Sequence, residues 1–446
     1  MDDKNVSRAR GISVPEGRLA RAARMGAMTA GVATNMAVGG MRQLASGTRP
    51  RSRDLLLTPV NIGRITDELA RMRGAAMKLG QLMSMDTGEI LPPELADILG
   101  RLRADADYMP PKQLRSVLND AWGPNWHRRF AEFHVRPIAA ASIGQVHRAR
   151  TKDGCELAIK VQYPGIRRSI DSDVTNVGHL LRLSGLLPKS FDIAPYLTEA
   201  RRQLAEEADY STEATHMKAF RTALGSEPGF VMPQIAQDFS TETVLAMSYL
   251  TGEPIEELTK ADQTTRDRVS KRLLRLMLKE LFSFGLMQTD PNFANYRYDA
   301  STDRIVLLDF GATRHLRHDS LSAVRALSNA ALDEEDGALV AAAEDMALIT
   351  PQMPDRHRQA IMEMVKIAFT ALLSTETVNF ASLDLNSEMQ VRGQALAEDG
   401  FVPGAIPMDL LYIQRKVAGM FLLITRLGAR LPVRALLEEA LGRRPL

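Results

Sequence analysis

Residues 286–311, LMQTDPNFANYRYDASTDRIVLLDFG, decide the fold. Asp290 comes first and Asn295 follows five residues later; the β-rich run RIVLLDFG then delivers Asp309-Phe310-Gly311. A carboxylate, a carboxamide and a second carboxylate are hard oxygen donors that suit an octahedral cation such as Mg²⁺. In phosphoryl-transfer sites of this layout the first Asp lies near the acceptor hydroxyl. The Asn holds a magnesium ion, and the second Asp bridges metal and phosphates. A plainer reading is a surface Asp-Pro turn followed by a buried strand ending in another turn. One D-F-G would leave that reading ahead, but D-x₄-N feeding an apolar strand into D-F-G reverses the balance.

The chain has 446 residues, enough to bury a large core spread over two subdomains or more. Aliphatic residues and Met dominate its apolar set, and only 5% of residues are aromatic, which points to a helix-rich globular protein. The net charge of +2 is unevenly placed: residues 1–53 carry ten Lys/Arg against three Asp/Glu. Such an arm suits anionic lipid or nucleic acid, or is simply solvated. It lacks the interleaved aromatics that single-stranded nucleic acid favours, and no recognition motif accompanies it, so nucleic acid is not expected as a partner. One cysteine, Cys155, excludes an intrachain disulfide framework and any multi-Cys metal site, and implies a reducing compartment. The opening MDDKNVSRAR reads as neither a secretory signal nor a mitochondrial transit peptide, having no adjacent apolar region and two early acids. Residues 25–41 are uncharged but Ala/Gly-rich, short and weakly apolar for a spanning helix. They read as a small-residue helix or linker, with shallow membrane contact or helix pairing as the alternative.

From Asn61, apolar residues at 62, 65, 69, 72, 76, 79, 82 and 83 predict a helix. Lys78 and Gln81 share one face of it; on spacing alone a solvated Lys is the ordinary explanation. Pro92-Pro93 and Pro110-Pro111 punctuate further helices, and Trp122 and Trp126 read as structural. At 136–161 the pattern becomes three short strands: one running into the loop Ala139-Ala140-Ala141-Ser142-Ile143-Gly144, then QVHRAR, then Leu157-Ala158-Ile159-Lys160-Val161 after an Asp153-Gly154 turn. A small-residue loop followed by a strand carrying a Lys is the layout of a kinase N-lobe. Alanines stand where that loop usually has glycines, so the phosphates are expected to be held differently. Residues 195–224 predict one long helix bearing Glu199, Glu206, Glu207, Asp209 and Glu213. On it Glu207 and Glu213 would project about 120° apart and serve different partners. The strand 243–247 leads to a hinge at 248–252, placing Met247 and Tyr249 at the adenine edge. Two helices over 262–284 precede the catalytic stretch, and from Leu321 the chain reads as helical to its end, with a loop at 400–407.

Taken together, KLGQ at 78–81, AAASIGQ at 139–145, AIK at 158–160, EADYSTEA at 207–214, QTDPNFAN at 288–295 and DFGA at 309–312 resemble the UbiB family of atypical kinase-like proteins. The QTD form resembles the branch that serves ubiquinone (coenzyme Q) biosynthesis. The likeness runs from about residue 15 to the C-terminus with the motifs in order. It implies that Lys160 contacts the α/β phosphates and pairs with Glu213. Asp290 would be the catalytic-loop Asp, and Asn295 and Asp309 would hold Mg²⁺. The K-x-G-Q helix would fold over the active site, bringing Lys78 and Gln81 near the nucleotide and near Glu207 and Asp209. The loop residues Ala139, Ala140, Ala141, Ser142, Gly144 and Gln145 would border the nucleotide. Gln288-Thr289 in place of His-Arg, and no A-P-E after D-F-G, leave no evident peptide platform.

The expectation is thus an α+β, bilobal protein-kinase-like fold: a basic arm (1–53), a helical K-x-G-Q extension (54–135), an N-lobe with inserted helices (136–252) and a helical C-lobe (253–446). Its function would be that of an atypical kinase or ATPase using ATP/ADP and Mg²⁺ in support of ubiquinone synthesis at a membrane surface. The rivals are a true protein or lipid kinase, and a nucleotide-gated scaffold or lipid-binding module. Membrane lipid or quinone precursors, quinone-biosynthesis proteins and a second copy of the chain are the expected partners beside adenine nucleotide. The expected setting is bacterial-type cytoplasm, peripheral at the inner membrane.

Overall fold

A computed structural model describes residues 108–141, 143–183, 192–401 and 407–443, and, before these, residues 34, 58, 60–61, 63, 66, 69 and 72–86. The chain divides into two compact units, Met1–Ala214 with Gln234–Tyr249, and Thr215–Pro233 with Leu250–Leu446. Among the described residues no helix is long and apolar enough to cross a membrane. Of the Ala/Gly segment 25–41 only Thr34 falls among them.

The first unit opens with helices α1 (Arg73–Asp86) and α2 (Pro111–Trp122), the latter started by Pro at N1, where a missing N–H costs nothing. A five-stranded antiparallel sheet follows: β1 (Phe130–Phe133), β2 (Ala139–Ala140), β3 (Gly144–Thr151), β4 (Glu156–Gln162) and β6 (Val244–Ser248). Its order is β1-β3-β4-β6, with β2 also on β3. Gly154, at φ 89°, makes the β3–β4 turn that an L side chain resists. Register sorts the side chains, because residues facing each other across a ladder share a face. Gln145 faces Val161, and His147 faces Ile159. That face carries Ala149, Val161, Val244 and Ala246 and is closed by Met109, Leu114 and Leu118. Trp122, Trp126, Phe130, Phe133 and Phe239 extend the closure as an aromatic cluster with centroids 4.9–6.2 Å apart. The opposite face holds Val146 and Lys160, paired across β3–β4, and Ala158 with Met247, paired across β4–β6.

Three further helices follow: α3 (Ile166–Leu183), α4 (Ala194–Glu207) and α5 (Tyr210–Leu224), with α1 packed on α3 and α4. The single helix expected over 195–224 is therefore two. Ala208 carbonyl accepts from Gln162 Nε2 at 2.9 Å, and Tyr210 N–H donates to Glu242 O at 3.1 Å, so neither continues the helical ladder. Asp209 Oδ1 accepts from Ser211 N–H at 2.9 Å and Ser211 Oγ at 2.5 Å, starting the second helix as an N-cap acid does.

The second unit has a four-stranded sheet, β5 (Phe230–Val231), β10 (Arg304–Leu307), β9 (Tyr296–Asp299) and β7 (Glu253–Pro254) in that order. β8 (Leu286–Gln288) pairs with β11 (Thr313–His315). Helix α6 (Gln263–Lys279), capped by Asp262 accepting from Thr265 N–H, replaces the two helices expected before the catalytic stretch. It runs directly into one π-helical turn, Glu280–Phe284, ended by Gly285 in the left-handed region. The helices beyond are α7 (His318–Asp333), α8 (Asp336–Asp345), α9 (Asp355–Leu373), α10 (Leu385–Glu398), α11 (Met408–Leu427) and α12 (Val433–Ala440). A two-residue pair, β12 (Val378–Asn379) with β13 (Arg430–Leu431), interrupts the expected all-helical run. α11 packs on α6, and its buried side chains include Leu423, Ile424 and Leu427.

Candidate functional site

In the first unit, Lys160 on β4 donates to both carboxylate oxygens of Glu213, at 3.0 and 2.8 Å. Glu213 lies in the first turn of α5, where an acid is favoured by the helix dipole. Both side chains are almost wholly buried, at 10% and 4% exposure, so losing either member of the pair is costly. The Lys160 ammonium also lies 5.3 Å from the Tyr210 ring centroid. Such a Lys is held extended and charged, ready to meet an anionic oxygen.

Lys78 on α1 pairs with Glu207 at the end of α4, and both are largely buried. The break at Ala208–Asp209 thus gives Lys78 and Lys160 separate acids from the two helices it joins. Asp209 is committed to Ser211 as a helix cap. The Gln81 side chain and Ser142 lie outside the described residues. Ala139 and Ala140 are exposed on β2, and Ala141 N–H donates to Gly144 O at 2.8 Å, closing the loop on itself. Gly144 is required by close approach: a Cβ there would collide with Val161 O and lie 2.7 Å from Tyr210 Oη. Met247 lies opposite Ala158 on the Lys160 face, and Tyr249 carries the Arg148 guanidinium 4.7 Å above its ring.

Gln145 was expected beside the nucleotide, and the structure corrects this. Its register places it on the face opposite Lys160, fully buried. Its Oε1 accepts from Met109 N–H at 2.7 Å, and its Nε2 lies 2.8 Å from His147 Nε2. His147 Nδ1 is 2.9 Å from His134 O, so the neutral ring carries its proton there and accepts at Nε2. Burial pushes this imidazole down to about 4, against the raising effect of the His134 carbonyl. The Gln145 amide is thereby used up in pinning the chain before α2 to the sheet.

In the second unit, Asp290, Asn295 and Asp309 are drawn together by backbone as well as side chains. Leu308 N–H donates to Asn295 O at 2.9 Å, and Gln288 Nε2 donates to Asp309 O at 2.8 Å. Asp309 Oδ1 accepts from Gly311 N–H at 3.0 Å, setting the turn after the strand. Phe310 is buried with its centroid 5.2 Å from that of Phe220. Asn295 Nδ2 donates to Asp290 O and Oδ2, both at 3.3 Å, which turns its amide oxygen to the other side. No group of three or more His, Cys, Asp or Glu that could hold a metal occurs among the described residues. One carboxamide oxygen and one carboxylate nevertheless fit Mg²⁺, which keeps waters and takes phosphate oxygens in place of an all-protein cage.

The sequence reading missed two residues of α11 at this stretch. Arg415 Nη2 donates to Asp290 Oδ1 at 2.9 Å. Lys416, 1% exposed, donates to Gln288 O at 2.8 Å, Tyr296 Oη at 2.9 Å and Gln288 Oε1 at 3.2 Å, with Glu280 Oε2 at 3.3 Å. Burial would lower the Lys416 ammonium, but Glu280 and Tyr296 outweigh it and raise it to about 12. Burial pushes the Glu280 carboxyl up to about 7 against the pull of Lys416. The available signal was periodicity: Tyr412, Lys416, Met420 and Leu423 fall on one helical face, and all are buried.

A five-stranded N-terminal sheet with a lysine–glutamate pair, and a helix-rich unit carrying Asp, Asn and a D-F-G Asp, define a protein-kinase-like, nucleotide-binding protein. The ABC1 atypical kinase-like domain matches residues 101–342, and the chain belongs to this family, the UbiB family of the sequence reading. Atypical kinase COQ8, mitochondrial, of Saccharomyces cerevisiae is 35% identical over 430 residues, spanning 96% of this chain and 85% of that protein. Atypical kinase COQ8B, mitochondrial, of Rattus norvegicus is 33% identical over 98% of this chain and 83% of its own length. The solved complex of Rv3197 with erythromycin from Mycobacterium tuberculosis shares 24% identity and a TM-score of 0.58 over 83% of this chain and 93% of that one, a likeness of fold. These relatives correct the expected setting. Proteins matched over almost the whole chain are named mitochondrial, so a bacterial-type cytoplasmic site at the inner membrane does not stand. The expectation rested on two early acids and a short apolar run within residues 1–53, too little composition to fix a compartment.

Proposed function

We propose that this chain is an atypical kinase or ATPase that uses Mg²⁺-ATP and supports ubiquinone biosynthesis at a membrane surface. What carries the reading is the junction of Asp290, Asn295 and Asp309 through Asn295 Nδ2 and the Leu308–Asn295 backbone bond. Lys160, held by Glu213, meets phosphate oxygens with a fixed positive charge. Asp290 orients the acceptor hydroxyl or water and takes its proton. Asn295 and Asp309 hold Mg²⁺, which when bound neutralises charge on the transferring phosphoryl group. Lys78 belongs to the extension that limits access to the nucleotide and is held by Glu207 of α4. Membrane lipid or quinone precursors, quinone-biosynthesis proteins and a second copy of the chain complete the partners of this reading, with the basic arm 1–53 as the element that meets anionic lipid.

The test is ATP turnover by the purified full chain, with γ-labelled ATP, with and without vesicles containing prenylated phenols. Asp309→Asn should abolish magnesium-dependent nucleotide binding and hydrolysis. Turnover unchanged by Asp309→Asn sinks the assignment. Label accumulating on a lipid or protein rather than as free phosphate identifies a true kinase.

A further inference from the structure

Lys416 is among the largest fully buried side chains of the molecule, and a buried ammonium needs a reason. Its shortest bonds go to the catalytic stretch: Gln288 O at 2.8 Å and Tyr296 Oη at 2.9 Å, whereas Glu280 stands off at 3.3 Å. A hydroxyl that accepts from an ammonium has its own proton to pass on, and Tyr296 Oη donates to Gln288 Oε1 at 3.0 Å. Lys416 Nζ reaches the same Oε1 at 3.2 Å. Two donors therefore converge on one end of the Gln288 amide. Because a carboxamide has one accepting end and one donating end, the NH₂ must turn the other way, and there it donates to Asp309 O at 2.8 Å. A flipped amide would point N–H groups at an ammonium and take the Gln288 donor away from Asp309 O.

We infer that Lys416 is a positioning residue for phosphoryl transfer: it fixes which way the Gln288 amide points, and Gln288 in turn holds the backbone of Asp309. This rests on the functional reading above. The neighbouring residues of α11 fit the same task. Arg415 takes Asp290, and a Cβ at Gly419 would collide with the Pro291 ring, so the helix lies close against the loop. Lys416 itself touches no reacting atom; it acts through Gln288.

The test uses the full chain and two readouts: hydrogen exchange of peptides covering 307–313, and steady-state ATP turnover. Lys416→Met keeps length and removes the charge; Gln288→Glu keeps the acceptor end and removes the donor to Asp309; Tyr296→Phe removes only the relaying hydroxyl. For Lys416→Met and Gln288→Glu, kcat is expected to fall about tenfold or more, with the KM for ATP within about twofold. Exchange over 307–313 should speed up while that of the α6 core at 269–278 stays as in the parent. Tyr296→Phe should move both readouts the same way by less. The double variant Lys416→Met/Gln288→Glu should be no worse than its worse single, because both cut one relay. Parent-like exchange over 307–313 in a folded Lys416→Met protein overturns the inference, as do additive losses in the double variant. If Lys416→Met does not fold, Gln288→Glu and Tyr296→Phe decide by the same criteria. A parent protein without turnover counts against the functional reading, while the exchange comparison still decides the role of Lys416.

Discussion

Arg415 Nη2 donates to Asp290 Oδ1 at 2.9 Å across a sequence separation of 125 residues, while Asn295 Nδ2 engages Oδ2 of the same carboxylate. Both oxygens of the proposed catalytic Asp are thus oriented, one from the C-terminal helix and one from its own loop. Removing Arg415 takes away one of these two restraints on the carboxylate. Arg415→Met is expected to lower kcat by about ten- to a hundredfold with little change in nucleotide affinity. Arg415→Lys, which keeps charge but loses the planar fork, should fall between. Steady-state kinetics on folded variants check this, and an Arg415→Met protein with parental kcat excludes the orienting role.

The buried Lys160–Glu213 pair separates stability from binding. Lys160→Met removes the buried ammonium that meets both Glu213 oxygens and should destabilise by about 3–5 kcal/mol. The double variant Lys160→Met/Glu213→Met should recover most of that loss, because a buried ion pair replaced as a unit by apolar groups is often neutral. Nucleotide binding should stay absent in both. Urea denaturation alongside fluorescent-nucleotide titration reads the two effects, and binding restored in the double variant would contradict the phosphate-contact role.

Gly144 makes a prediction that involves no chemistry. The Cβ of Gly144→Ala would meet Val161 O, a backbone atom of the paired strand that cannot give way without shifting register, and lie 2.7 Å from Tyr210 Oη. The expected cost is about 2–3 kcal/mol by denaturation. A parent-like midpoint would show that the loop has room to move.

His147 makes the first unit sensitive to acid. Its folded imidazole is held near 4 from an ordinary 6.5, chiefly by burial, so the unfolded chain takes up the proton first as pH falls. The contribution is complete above about pH 6.5 and is lost progressively toward pH 4, about 3 kcal/mol over the window. Denaturation at pH 7.5, 6 and 5 should show the decline, and His147→Gln should flatten it. Equal slopes in the two proteins would remove His147 as the cause.

Much of this was legible from residues. The three-strand pattern at 136–161, the lysine at 160 and the Asp–Asn–D-F-G run announce a kinase-like fold because each needs a particular residue type at a particular offset, and offset is what sequence records. Face was harder. Gln145 belongs to a loop motif by position, yet one step along a strand turns a side chain to the other side, and only the register with β4 decides which. The helix over 195–224 looked continuous because its breaking partners, Gln162 and Glu242, come from elsewhere in the chain. Arg415 and Lys416 were out of reach for the same reason: nothing in their spacing says which loop α11 will meet. The buried lysine on an apolar stripe was the one local trace.

The bend at Ala208–Asp209 has a mechanical meaning. One residue, Ala208, separates the acid that anchors the extension's lysine from the cap-and-helix turn that carries the acid for the sheet's lysine. Prising Lys78 from Glu207 is therefore expected to tug on the grip at Lys160. Seating of the extension and the grip of Glu213 on the sheet's lysine would then be geared together through a single knuckle of backbone.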